Sequence, residues 1–177
     1  MADAGELYDL DFLRWTEQQA TALRRAAKES NLPLDWENLA EEIESLGKSL
    51  RRELSSQLRR VLRHLFKLEA SPADRPRAGW RATITAARAD IAEVLEQAPS
   101  LRREVAEIVG KQARIAAELA AADLTGHGEA ADAVQARLAK GGFTADQVLG
   151  DWFPKLPRAD PREPCTAAPT ATVCDDR

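Results

Sequence analysis

Glycine, histidine and aromatic residues are all scarce in this chain. It has 9 glycines in 177 residues and none of them opens a Gly-rich phosphate loop. Aromatics make up only 5% of the chain, and no aromatics interleave with the basic residues as a base-stacking surface needs. His64 and His127 are the only 2 histidines, and the residue three before His64 is Val61, so the ExxH spacing of helical metal sites is missing. The 2 cysteines, Cys165 and Cys174, stand in a proline-rich stretch with no CxxC and no histidine pair. Free thiols are expected there rather than a disulfide or a metal site. No apolar run approaches the roughly 18 residues needed to cross a bilayer. The start MADAGELYDLDF lacks a basic segment and an apolar core, so it does not read as a signal peptide, and a cytosolic location is expected.

What the chain has instead is alanine, leucine, arginine and glutamate, all strong helix formers. Charged residues are 31% and the net charge is -4, which argues against nucleic-acid binding by the whole surface. No alternating strand pattern or internal repeat is visible. The period predicts a first helix over 9–28, with Asp9 or Asp11 as cap and Phe12, Trp15, Gln19, Leu23 and Ala26 on one face. Pro33 ends that segment and Asp35 is placed to cap the next. The second helix, 36–69, carries the stripe Leu39, Ile43, Leu46, Leu50, Leu54, Val61, Leu65, Leu68, with Gly47 as a place where it could bend. A third helix, 77–97, has Trp80, Ile84, Ala87, Ile91 and Leu95 on its inner face. After the short break APS, Ser100 is the expected cap of a fourth helix with Leu101, Val105, Ile108, Gln112, Ile115 and Leu119 as its stripe. So short a break predicts antiparallel neighbours. A weak alanine-rich helix over 129–139 and a capping box at Thr144 and Gln147 follow.

The expected fold is therefore all-α: an up-and-down bundle of four main helices with a small C-terminal helical appendage, over residues 8–154. The proline-rich tail, 155–177, has few large apolar residues and is expected to be disordered.

The block DWENLAEEIESLG has five acids and no base, and bases crowd the later part of the same helix. Acids at a helix start and bases at its end match the helix dipole, so most of this charge reads as a solvated face. Some of it does not. At about 100° per residue, Glu42 and Glu53 fall along one edge of the apolar stripe, while Gln57 and His64 fall within it. Arg88 interrupts the third helix between Ile84 and Ile91. Buried charge is costly unless paired, so Arg88 is expected to meet a carboxylate, with Glu53 at the right level. Glu42, Glu53, Gln57, His64 and Arg88 are thus the candidate binding residues, strung along an interior polar network. Two readings of His64 stay open: a hydrogen-bonded core histidine, or a general base oriented by a glutamate.

The order YDLDFLRWTEQQATALR, LDWENLAEEIESLGKSLRREL, VLRHLFKLE, WRATITAARADIAEVLEQAPSLR, closing on TADQVLGDWFP, resembles the bacterial family called domain of unknown function 29. NLAEEIESLG is its most specific segment. The resemblance spans residues 8–154, leaving out the alanine-rich stretch near 125–140 and the tail. It implies an all-helical fold and carries over no catalytic residue. No catalytic residue, cofactor or metal is assigned. The leading functional expectation is a non-enzymatic interaction or regulatory module that binds another protein or itself. Nucleic-acid binding through the basic half of the second helix (Arg51, Arg52, Arg59, Arg60, Arg63, Lys67) ranks below it, as does an enzyme built on an interior Glu/His/Arg cluster. A membrane partner is not expected.

Overall fold

The computed structural model describes residues 4–156. Cys165, Cys174 and the tail from residue 157 lie outside the described residues. Every regular element among the described residues is helical: α1 (Ala4–Leu10), α2 (Phe12–Ala26), α3 (Trp36–Ala70), α4 (Arg77–Gln97), a 3-10 turn (Pro99–Arg103), α5 (Val105–Gly126), α6 (Asp132–Ala139) and α7 (Ala145–Leu149). None of these helices is long and apolar enough to cross a membrane.

The expected first helix is split at Asp11. Its carboxylate accepts the Arg14 N–H at 3.1 Å and so caps α2. The same carboxylate accepts the N–H of Ser100 at 2.8 Å and its hydroxyl at 3.0 Å. Ser100 is therefore a donor to Asp11 and not a helix cap, and the chain makes a 3-10 turn before α5 begins. Asp35 caps α3 through the Asn38 N–H, and the Thr144/Gln147 capping box forms at α7.

α3 is the axis of the molecule. It runs for 35 residues without a break at Gly47, about 52 Å at 1.5 Å per residue. α2 packs antiparallel against its first half, α4 antiparallel and α5 parallel against its second half. The direction of α5 follows from its pairings: Arg51 with Glu104, Ser55 with Gln112, Arg63 with Asp123. α4 and α5, expected to be neighbours, each lie on α3 rather than on each other. α6 and α7 fill the far side between α3 and α5.

The core sits on the second half of α3, where Leu54, Leu58, Val61, Leu62, Leu65, Phe66 and Leu68 are fully buried. Each such side chain contributes about 1.5–3 kcal/mol on leaving water. α5 meets this core through Val105, Ile108, Val109, Ala113, Ala116, Ala117, Ala120 and Leu124. Its alanines let the backbones approach closely, and this turns Ile115 and Leu119, expected inside, to the edge at 37% and 39% exposure.

Candidate functional site

The basic half of α3 lies between α4 and α5, where the two helices diverge. Ser56, Arg59, Arg60, Arg63 and His64 line a cleft of about 210 Å3 there, with Thr83 of α4 and Leu119 of α5 on its sides. One helical turn further on, Lys67 is buried beneath Trp80, 4.8 Å from the ring centre. Asp123 of α5 closes this end. It accepts two hydrogen bonds from the Arg63 guanidinium, at 2.8 and 2.6 Å, and one from Lys67 at 3.0 Å. The Arg63 bonds hold the Asp123 carboxyl below its ordinary range; burial opposes this and Lys67 adds to the lowering.

His64 sits inside this ring of cations. Burial, then the charges of Lys67 and Arg63, push its imidazole down to about 4, with Asp123 opposing and Arg60 adding a smaller push. It is therefore neutral at ordinary pH. Its Nδ1 is buried and without a hydrogen-bond partner, as is Oε1 of Gln57, one heptad earlier on the same side of α3. Gln57 and His64 are half-buried on α3. The carboxylate network drawn around them is not there.

Arg88 overturns its expected pairing with Glu53. Its guanidinium donates to the carbonyls of Val148, Gln147 and Trp152, each at 2.9 Å, and stacks 4.9 Å from the Phe153 ring centre. The physical reason is the end of α7. The last carbonyls of a helix have no partner within it, and a five-donor planar fork satisfies several at once. Burial lowers the Arg88 pKa, and Asp151 nearby opposes that. Glu53 and Glu42 are both exposed, Glu42 far up the first half of α3. The five predicted residues are therefore scattered: His64 lines the cleft, Gln57 is half-buried one heptad before it, Arg88 is at the C-terminal hook, and the two glutamates are in solvent.

Sequence reasoning missed Asp123, and it named Lys67 and Trp80 without bringing them together. Asp123 had a signal: it is an acid late in an alanine-rich helix, where the dipole disfavours it. Among the described residues no group of His, Cys, Asp and Glu is placed to hold a metal ion.

A second feature lies on the first half of α3. α2 covers only one side of it, through Leu13, Thr16 and Ala20 against Ala40 and Gly47. Arg24 bridges Glu37 and Glu44 on one flank of this hairpin. On the other flank Leu39 and Leu46 are 43% and 51% exposed, beside the half-buried Ile43 and Leu50. This is the stripe that α4 covers further along. With Trp80 over Lys67 and Thr83 beside His64, α4 runs out near Leu50. At the same end Tyr8, Phe12 and Trp15 cluster, with ring centres 4.9–5.6 Å apart.

No functionally curated relative matches the chain. Its fold is similar to the crystal structure of an alpha-helical protein of unknown function from Rhodospirillum rubrum ATCC 11170. That chain is 30% identical, with a TM-score of 0.66, over 81% of this chain and 89% of the other. The family model for Domain of unknown function DUF29 matches residues 7–153, which takes in every helix from α2 to α7. The chain belongs to the DUF29 family.

Proposed function

We propose that the chain is a non-enzymatic interaction module that binds a second copy of itself through the open face of the α2–α3 hairpin. The observation that carries this reading is the uncovered stripe: Leu39 and Leu46 continue the line of Leu54, Val61 and Leu68, and half of each side chain is left in water. Contiguous exposed apolar surface with a polar rim is the mark of an interaction face. The α2 side of the same face favours a second copy over an unrelated partner. By the helical period the half-buried Phe12, Gln19 and Leu23 turn toward this face from α2, and Glu42 and Glu53 edge it on α3. A two-fold axis along the hairpin lays α2 of one protomer over α3 of its partner, apolar edge on apolar stripe. The product is a four-helix layer in which the stripe is covered from outside.

The nucleic-acid reading is narrowed by the pairings of α3, which leave Arg59 and Arg60 as the bases of the cleft without a carboxylate partner among the described residues. Arg51 is held by Glu104, Arg63 and Lys67 by Asp123, and Arg59 reaches Gln112. The enzyme reading loses its support in the separation of Glu42, Glu53 and Arg88 from His64.

Sedimentation equilibrium tests the proposal. The parent is expected to be a dimer. Leu46→Glu, at an exposed position, is expected to give a folded monomer with an unchanged circular dichroism spectrum. Leu39→Glu is expected to do the same, and Arg25→Glu, on the opposite flank, to leave the dimer intact. A parent that sediments as a monomer at the highest soluble concentration would overturn the proposal.

A further inference from the structure

The cleft between α4 and α5 concentrates positive charge that the fold itself does not use up. Four cations, Arg59, Arg60, Arg63 and Lys67, stand on consecutive turns of α3, and the carboxylate that answers them directly is Asp123. Asp123 is saturated by Arg63 and Lys67. Arg59 spends one N–H on the neutral Gln112 amide at 3.3 Å, and Arg60 has no ion pair among the described residues. Two guanidinium groups therefore remain to receive a ligand, at the mouth of a recess whose inner side holds His64 with an unpartnered, buried Nδ1.

We propose that this cleft is a binding site for a small phosphate-bearing ligand, held by Arg59 and Arg60, with the Ser56 hydroxyl as a neutral donor and Arg63 as a cation shared with Asp123. Three features select this chemistry. Guanidinium forks match the oxygen spacing of phosphate and bind it bidentately. The volume of about 210 Å3 falls below the roughly 300–1,000 Å3 of ordinary small-molecule sites. It suits phosphate or the phosphate end of a phosphomonoester. Finally, the recess is flanked by helices on both sides, Thr83 from α4 and Leu119 from α5, which admits a compact anion and keeps a duplex backbone off the floor.

His64 is then the built-in reporter. Burial first, then the charges of Lys67 and Arg63, hold it neutral, with Asp123 of α5 as the opposing charge. A dianion between Arg59 and Arg60 offsets that repulsion and raises the imidazole pKa. The His64 ring protons, followed by NMR in the intact chain and assigned with a His127→Gln variant, are titrated with inorganic phosphate at constant ionic strength. A saturable shift is expected, together with an upward move of the His64 titration midpoint. Arg59→Gln with Arg60→Gln is expected to weaken binding by roughly tenfold or more, the loss of charge-assisted hydrogen bonds. Arg52→Gln, outside the cleft, is expected to leave it unchanged. A parallel arm uses a short single-stranded oligonucleotide. Tighter binding of the oligonucleotide than of phosphate would show the site to be a nucleic-acid contact and overturn the proposal. A linear, unsaturable response to phosphate, or an equal response in the double variant, would overturn it too.

Discussion

Gly47 stands where α2 and α3 come closest, and adding one methyl group there tests the packing of the hairpin. A Cβ built on Gly47 would run into Oγ1 of Thr16 and lie 2.8 Å from Cδ1 of Leu13. Neither neighbour can step aside. Thr16 is fully buried with its hydroxyl donated to the Leu13 carbonyl at 2.7 Å, and Leu13 is 3% exposed. Two effects oppose each other. Gly→Ala inside a helix gains about 0.5–1 kcal/mol from chain entropy and propensity. Overpacking a filled contact costs about 1–3 kcal/mol. The overlap is with a fixed side chain on a second helix, so the cost wins, and Gly47→Ala is expected to destabilise by about 1–2 kcal/mol net. At this chain length that is a drop in Tm of roughly 3–6 °C. Gly110→Ala is the control: Gly110 is helical, exposed and has nothing within 4 Å of its added Cβ. It is expected to gain about 0.5–1 kcal/mol. Removing the obstacle, in Gly47→Ala with Thr16→Ala, is expected to recover most of the loss. Urea unfolding followed by circular dichroism measures all four proteins. Equal stabilisation by Gly47→Ala and Gly110→Ala would refute the close-approach argument.

The remaining predictions concern charge. Arg88→Met leaves three carbonyls without their donor and is expected to cost about 1–3 kcal/mol; hydrogen exchange should rise first over residues 145–152, and Arg88→Lys should rescue little because one ammonium cannot reproduce the fork. His64 is held neutral, with its pKa lowered to about 4, so below its unfolded value near 6.5 the unfolded chain takes up the proton first. Stability is therefore expected to fall by on the order of 2 kcal/mol as pH drops from about 6.5 to about 4, and His64→Gln should flatten that window in denaturant titrations. Asp123→Asn removes the partner of Arg63 and of the buried Lys67; a loss of about 1–3 kcal/mol is expected, and since its carboxyl is held low, the native contribution should vanish only as pH falls below the ordinary aspartate range.

Local signals in the sequence carried most of the secondary structure. Asp35, the Thr144–Gln147 pair and Pro33 act within a few residues of where they stand, so the starts of α3 and α7 were legible, and the break before α3 with them. The stripe on the second half of α3 was legible because that half is packed on several sides. Its first half was read as core by the same period, yet Leu39 and Leu46 are exposed. A period records which face is apolar and does not record whether anything in the same chain reaches it. α5 failed differently: the large residues Ile115 and Leu119 drew the predicted stripe, and the alanines that let α5 approach α3 set the real one. The polar pairings were the least legible part. Arg88 was matched to a carboxylate by charge, and the structure matched it to backbone carbonyls, which have no identity in a sequence. Asp123 lies 60 residues from Arg63 and 56 from Lys67, and only the parallel run of α5 brings them together.

Asp11 finally bears on the order in which the chain assembles. Its carboxylate is the cap of α2, and it also fastens the turn at Ser100, 89 residues away. The hairpin of α3 and α4, by contrast, closes over the few residues between Ala70 and Arg77. Closing a long loop costs more chain entropy than closing a short one and is slow for the same reason. The α2–α3 hairpin, closed over residues 27–35, shares that advantage. Both short hairpins are therefore expected to form before the reversal at Ser100 is fastened, and a lone carboxylate ties the hairpin at one end of the chain to the turn that leads into α5.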